Sequence, residues 1–130
     1  MIGLDTNILI RFLTRDDPAL YKKVEDFFKH HRGSRFFVSQ TVLLETWWVL
    51  YQVYHYPVED IVQVLLSLAD GGDIVVENYS AIISALNQVK TNNASFEDAL
   101  IAEVNVDFGC EYTITFDRKA TRIKGMKLLE

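Results

Sequence analysis

The chain has 130 residues, and Lys+Arg 13 against Asp+Glu 18 gives a formal net charge of −5, which suits a single domain (residues 1–130) with a core of its own. Hydrophobic residues at 49%, charged residues at 24%, Gly 6 and Pro 2 argue against disordered, collagen-like and linker-rich chains. No apolar run approaches the roughly 18 residues of a membrane span, the apolar start lacks the Lys or Arg of a signal peptide, and the lone Cys110 suits a reducing, cytoplasmic setting. The acidic balance argues against a sequence-blind coat for duplex DNA and leaves a local nucleic-acid surface open.

In chain order, Ile2–Leu4 reads as a short buried strand. Asp5-Thr6-Asn7 follows as a turn, with Thr6 or Asn7 capping a short helix from Ile8 to about Leu13. Asp16-Asp17-Pro18 opens a helix over Ala19 to His31, whose cationic last turn precedes Gly33. Phe36-Phe37-Val38 is a second strand, and Ser39 caps a helix over Gln40 to about Tyr54. Pro57 opens another over Val58 to Ala69, stopped by Gly71-Gly72. Ile74-Val75-Val76 is the third strand, and Tyr79 to about Lys90 is helical. Ser95 caps a helix through about Val106, with Asp98 three residues on, close to a capping box. Tyr112–Thr115 and Met126–Leu129 are the last two strands, separated by a turn at Phe116-Asp117 and a basic segment. Short apolar strands alternating with longer helices predict βαβ crossovers: an α/β domain with a mostly parallel sheet and helices on both faces. Sites in such sheets lie at the carboxyl ends of the strands, where Asp5, Asp117 and the start of the Ser39 helix fall.

Four carboxylates stand in apolar company: Asp5, Glu45, Asp98 and Asp117. The other acids, Asp16 and Asp17 among them, lie in polar stretches and read as surface or capping charges. The Glu45 helix is apolar nearly all round and is expected to be largely buried. Its carboxylate then needs a cation, a proton or a wet cleft, and Thr41, Val42, Trp48, Val49 and Gln52 on its own face supply no positive charge. Each acid also has a plain alternative: Asp5 as a helix cap, Asp98 serving a helix dipole, Asp117 as a turn residue, Glu45 paired with a buried Arg. Clustered carboxylates are stable only with protons or a strong cation, and oxygen ligands select Mg²⁺ or Mn²⁺. Zinc is disfavoured by one Cys and by His30, His31 and His55, which lack ligand spacing. Such a site suits phosphoryl chemistry with one or two metals. Thr6, Asn7 and Thr115 can orient the carboxylates or serve turn hydrogen bonds instead.

These residues resemble the PIN-domain ribonuclease family, and specifically its VapC-type toxins of prokaryotic type II toxin–antitoxin pairs. The resemblance runs over the whole chain: Asp5-Thr6-Asn7 after the first strand, Glu45 in the helix after the second, Asp98-Ala99-Leu100-Ile101-Ala102, and Thr115-Phe116-Asp117. It implies a PIN-like three-layer α/β/α domain with a mostly parallel five-stranded sheet. It implies Mg²⁺/Mn²⁺-dependent endoribonuclease activity on single-stranded RNA, a tightly bound antitoxin, and a homodimer. By motif position it makes Asp5, Glu45, Asp98 and Asp117 the catalytic, metal-binding acids. Two departures stand out: Ser95 occupies a position that is often acidic in the family, and Glu97 adjoins Asp98.

Arg118, Lys119, Arg122, Lys124 and Lys127 fall in a stretch without an acid, beginning beside Asp117, and Arg11 and Arg15 follow Asp5. These cations can hold phosphates flanking an acidic metal site; the alternative is a solvated basic turn. Tyr112 and Phe116 can stack bases, with core packing as the default. Trp47, Trp48, Tyr51, Tyr54 and Tyr56 concentrate aromatic surface on and after the Glu45 helix, for core packing and for a homodimer or antitoxin contact. Cys110 reads as a packed, inert thiol. Three other readings are set beside the nuclease. A receiver-like phospho-acceptor module needs an acidic pair after strand one, an Asp after strand three and a Lys after strand five, whereas here Asp5 stands alone, Val76-Glu77-Asn78 follows strand three, and strand five ends the chain. A PIN-fold binding subunit without catalysis and a PIN nuclease of RNA maturation without an antitoxin complete the set.

Overall fold

The computed structural model describes residues 1–130. Its backbone separates into two compact units, Met1–Glu77 and Asn78–Glu130.

The first unit holds β1 (Ile2–Gly3), α1 (Thr6–Thr14), α2 (Pro18–His30), β2 (Phe36–Val38), α3 (Gln40–Gln52), α4 (Val58–Ala69) and β3 (Ile74–Val76). The three strands form one parallel sheet in the order β1-β2-β3, with Ile2 opposite Phe36 and Phe36 opposite Ile74. Each strand runs into a connection at the same end of the sheet: Asp5 follows β1, Ser39 and α3 follow β2, and Glu77 follows β3. Glu77 turns back onto α3, where its Oε1 accepts the Gln40 N–H at 2.8 Å, an acid at a positive helix end.

Local chemistry sets the helix bounds. The cap of α1 is Asp5 itself, not Thr6 or Asn7. Asp5 leaves β1 in an extended conformation and its side chain accepts the Thr6 N–H at 2.8 Å, so α1 begins two residues before the expected Ile8. Arg15 closes α1 in the left-handed region at φ 53°, where the chain bends into α2. There Asp17 accepts the Leu20 N–H at 3.1 Å and Pro18 takes the first helical position. Ser39 caps α3 as the sequence indicates, accepting the Val42 N–H at 3.2 Å. The core of this unit is aliphatic, with Leu9, Val38, Leu43, Leu50, Ile61 and Leu65 buried. Each such side chain contributes about 1.5–3 kcal/mol by leaving water.

The second unit holds α5 (Tyr79–Asn92), α6 (Phe96–Asp107), β4 (Thr113–Thr115), a 3₁₀ turn (Lys119–Arg122) and β5 (Met126–Leu128). Helices α5 and α6 pack on each other through buried Ile82, Ala85, Leu86, Ala99 and Leu100. Helix α5 ends at Asn92, two residues beyond the expected Lys90, and Asn93 stops it at φ 52°. Strands β4 and β5 pair in parallel with Thr113 opposite Met126, and Asn105 of α6 donates to the Thr113 hydroxyl at 2.9 Å.

All five expected strands exist, and every pairing is parallel, so the α/β class holds. They form a three-stranded sheet and a second, two-stranded sheet in place of the single five-stranded sheet expected. The strands are two or three residues long, so each ladder closes after two or three residue pairs and little backbone is left to extend a sheet. No helix is long and apolar enough to cross a membrane.

Candidate active site

Helix α1 packs on α3 in the first unit. On α1 the pairs Thr6/Ile10 and Asn7/Arg11 lie four residues apart, and on α3 Glu45 and Val49 do the same, so each helix presents a stripe to the other. A cavity of about 400 Å³ lies there, lined by Asp5, Thr6, Asn7 and Arg11 and, from α3 and its end, by Glu45 and Tyr54. Two of the four acids singled out in the sequence, Asp5 and Glu45, therefore share one cavity.

Their local states differ. Asp5 Oδ1 is fixed by the Thr6 N–H, which realises the capping role and leaves Oδ2 unengaged. Glu45 is exposed and makes no hydrogen bond or ion pair within the protein. Of the outcomes open to the Glu45 carboxylate, the structure shows the cleft, and the burial expected of most of this helix is limited to one stripe. The buried stripe of α3 is Leu43, Thr46, Trp47 and Leu50, and Glu45 lies off it, opening on a wet cleft. Thr6 Oγ1 is buried and has no hydrogen-bond partner. A buried hydroxyl left unpaired at the wall of an acidic cavity marks a place for a further group.

Two carboxylates, a hydroxyl and an amide are hard oxygen donors. Mg²⁺ is commonly held by one or two carboxylates while keeping several waters, so this donor set fits a divalent ion of that kind. Within neither unit do three or more Asp, Glu, His or Cys side chains form a group that holds a metal through protein ligands alone. The histidines serve their own helix: His30 Nδ1 meets the Asp26 carbonyl at 2.7 Å and His31 Nδ1 the Phe27 carbonyl at 2.9 Å.

Beside the acids lies a network that sequence reasoning did not find. Arg11 Nη1 donates to both oxygens of Asp16, at 3.0 and 3.2 Å. The Thr14 hydroxyl donates to Asp16 Oδ1 at 2.9 Å, and the Tyr54 phenol to Oδ2 at 2.6 Å. The Tyr54 bond above all, with those of Thr14 and Arg11, holds the Asp16 carboxyl at about 2 against an ordinary 3.8. The same bond, aided by desolvation, raises the Tyr54 phenol above its ordinary 10.0. Asp16 is thus no ordinary surface charge. The available signal is the Asp16-Asp17 doublet: Asp17 alone caps α2, which leaves Asp16 for another task. Arg15, beyond the bend, lies 4.9 Å over the Tyr21 ring.

The other two acids belong to the second unit. Asp98 stands half-buried in the first turn of α6. Its N–H donates to the Ser95 hydroxyl at 3.1 Å, while its carboxylate has no hydrogen-bond partner in the protein, so half of a capping box is formed. Ser95 supplies the cap in place of an acid, and the adjoining Glu97 is exposed. Asp117 takes up its turn role: its N–H donates to Thr115 Oγ1 at 3.0 Å and its Oδ1 accepts the Lys119 N–H at 2.9 Å.

The basic stretch is anchored by buried Ala120, Ile123 and Met126. Arg118, Lys119, Arg122, Lys124 and Lys127 are exposed, and none is in an ion pair. Lys127 lies 4.3 Å over the Tyr112 ring. Two expectations are corrected in this unit. Phe116 is 81% and Tyr112 44% exposed, so neither is a core residue. Cys110 is exposed, not packed. Tyr112 and Phe116 stand just outside the two ends of β4, whose ladder with β5 has three residue pairs.

Residues 2–126 match the PIN domain family. A VapC ribonuclease from Aquifex aeolicus (strain VF5) is 25% identical over 122 residues, which are 92% of this chain and 90% of that protein.

Proposed function

Since the chain belongs to the PIN-domain family, we propose that it is one domain over residues 1–130 acting as a Mg²⁺- or Mn²⁺-dependent endoribonuclease, the toxin of a type II toxin–antitoxin module. The observation that carries the reading is the cavity shared by Asp5 and Glu45 with its unpaired Thr6 hydroxyl, in a chain similar over nearly its full length to a VapC ribonuclease. Family membership leaves the receiver-like reading without support.

In this reading Asp5, Glu45, Asp98 and Asp117 are the metal-binding, catalytic acids. Thr6, Asn7 and Thr115 orient them. A divalent ion, when bound, supplies Lewis-acid activation of water and neutralises charge on the phosphate oxygens. The protein's own part is positional. The Thr6 N–H holds one oxygen of Asp5 and leaves the other free, and the Asp98 carboxylate is unengaged because Ser95 satisfies the helix start. Arg11 and the exposed cations Arg15, Arg118, Lys119 and Arg122 bind phosphates along the RNA strand, and exposed Phe116 and Tyr112 stack bases. Hydrolysis adds a water oxygen to phosphorus and breaks one P–O bond. The partners are an RNA substrate, an antitoxin protein in the cytoplasm and a second copy of the chain. Trp48 and Tyr51, 57% and 45% exposed on α3, supply apolar surface for a partner.

The test is cleavage of structured RNAs by the purified chain with Mg²⁺, with Mn²⁺ and with EDTA, together with growth arrest on expression and a search for a short neighbouring reading frame whose product relieves it. Cleavage that persists undiminished in EDTA, or in Asp5→Asn and Asp98→Asn variants, overturns the nuclease mechanism. Growth arrest that no neighbouring gene product relieves overturns the antitoxin role.

A further inference from the structure

Arg11 lines the same cavity as Asp5 and Glu45, yet its one ion pair is with Asp16. Every hydrogen bond it makes uses Nη1. Nε is buried without a partner, and Nη2 donates to nothing in the protein. A guanidinium that shares a cavity with two carboxylates in no ion pair can turn onto them, since attraction between unlike charges grows as water is excluded. Here the Arg11 guanidinium is paired with Asp16 instead. Asp16 is itself held by the Tyr54 phenol at 2.6 Å and the Thr14 hydroxyl at 2.9 Å. The result is a cavity with two anions on one part of its wall and a fixed, partly unsatisfied cation on another. A phosphate next to a divalent ion is the chemical complement of that pattern. The planar guanidinium fork suits phosphate oxygens in particular.

We propose that Arg11 is a phosphate seat for the RNA backbone in the Asp5–Glu45 cavity, and that Asp16 and Tyr54 are positioning residues that keep Arg11 off the two acids. The proposal rests on the nuclease reading for the identity of the anion. Its two halves predict different losses. Removing Arg11 removes one phosphate contact. Removing Asp16 leaves Arg11 charged and free to pair with Asp5 and Glu45, where it competes with a divalent ion.

The experiment uses the whole chain and two readouts separate from turnover. Binding of a single-stranded oligoribonucleotide is followed by fluorescence anisotropy in EDTA over a range of salt, with the oligonucleotide checked for integrity. Arg11→Gln is expected to weaken binding and to lower the slope of log affinity against log salt by about 0.7, the value of one single-strand phosphate contact. An unchanged slope overturns the seat. Mn²⁺ binding is followed by calorimetric titration. Asp16→Asn is expected to weaken Mn²⁺ binding about tenfold or more, the loss typical of an outer-shell partner, and Tyr54→Phe to weaken it less. The double variant Arg11→Gln/Asp16→Asn is expected to regain the affinity lost in Asp16→Asn. A double variant as weak as Asp16→Asn overturns the positioning role, because a merely structural defect is not relieved by removing a second residue. Tyr54→Phe removes one hydroxyl and keeps the ring, so it carries the same test if Asp16→Asn fails to fold. Wild-type protein that binds the oligonucleotide but never cleaves RNA sinks the nuclease reading alone. Normal cleavage with an unchanged Arg11→Gln salt slope sinks the seat alone.

Discussion

The Tyr54 phenol, just beyond α3, donates a 2.6 Å hydrogen bond to Asp16 at the bend between α1 and α2, and it joins residues 38 apart in the chain. Its acid–base consequences follow directly. Asp16 is lowered from 3.8 to about 2, so its contribution to stability is fully present above 3.8 and is lost as pH falls toward 2. Tyr54 is raised above 10.0, so its contribution is present below 10.0 and is lost as pH rises through the higher folded value. Carboxyl-carbon NMR of Asp16 is expected to show the low titration, and tyrosinate absorbance the high one. In Tyr54→Phe the Asp16 midpoint is expected to climb back toward 3.8; an unmoved midpoint would show that the phenol is not its main cause.

Asp5 combines a cap with a charge, and two substitutions separate them. Asn caps a helix about as well as Asp, whereas Ala costs about 1 kcal/mol. Asp5→Asn is therefore expected to keep its thermal midpoint and to lose about 100-fold or more in Mg²⁺-dependent RNA cleavage, a loss of a few kcal/mol in transition-state stabilisation. Asp5→Ala is expected to lose activity and also to melt earlier. Equal melting of the two variants in calorimetry would contradict the capping role.

The same logic applies to Asp117, whose Oδ1 holds the Lys119 N–H at 2.9 Å. Asn can keep that turn bond. Asp117→Asn is expected to leave Lys119 amide exchange slow while reducing cleavage, and Asp117→Ala to speed that exchange as well. Fast exchange in both variants would mean that the carboxylate's charge, not its geometry, orders the turn.

Ser95 accepts the Asp98 N–H at the start of α6. Ser95→Ala is expected to cost about 1 kcal/mol, and Ser95→Asp to restore it, both read from denaturant midpoints. In the first unit Leu65 is fully buried, and Leu65→Ala is expected to cost about 2–5 kcal/mol.

Much of this architecture is legible in the residues. Asp17-Pro18 and Gly33 bracket α2, Ser39 and Ser95 start α3 and α6, and short runs such as Ile74–Val76 mark strands. What is not legible depends on tertiary neighbours. The apolar surroundings of Glu45 suggest burial, but its exposure follows from which stripe of α3 meets the core. The division of five strands into two sheets depends on ladder lengths that no local pattern encodes. The bond from Tyr54 to Asp16 spans two helices, and nothing in either segment names the other. Asp5 and Asp117 were legible as capping and turn residues and as candidate acids at once, because the same carboxylate does the local bonding with one oxygen and keeps the other.

That shared duty at the head of α1 has a practical side. A library of variants screened for soluble, heat-resistant protein passes Asn at position 5 without complaint, because the backbone is as well served as before. Assays of folding are blind at this position, and turnover has to be measured in its own right.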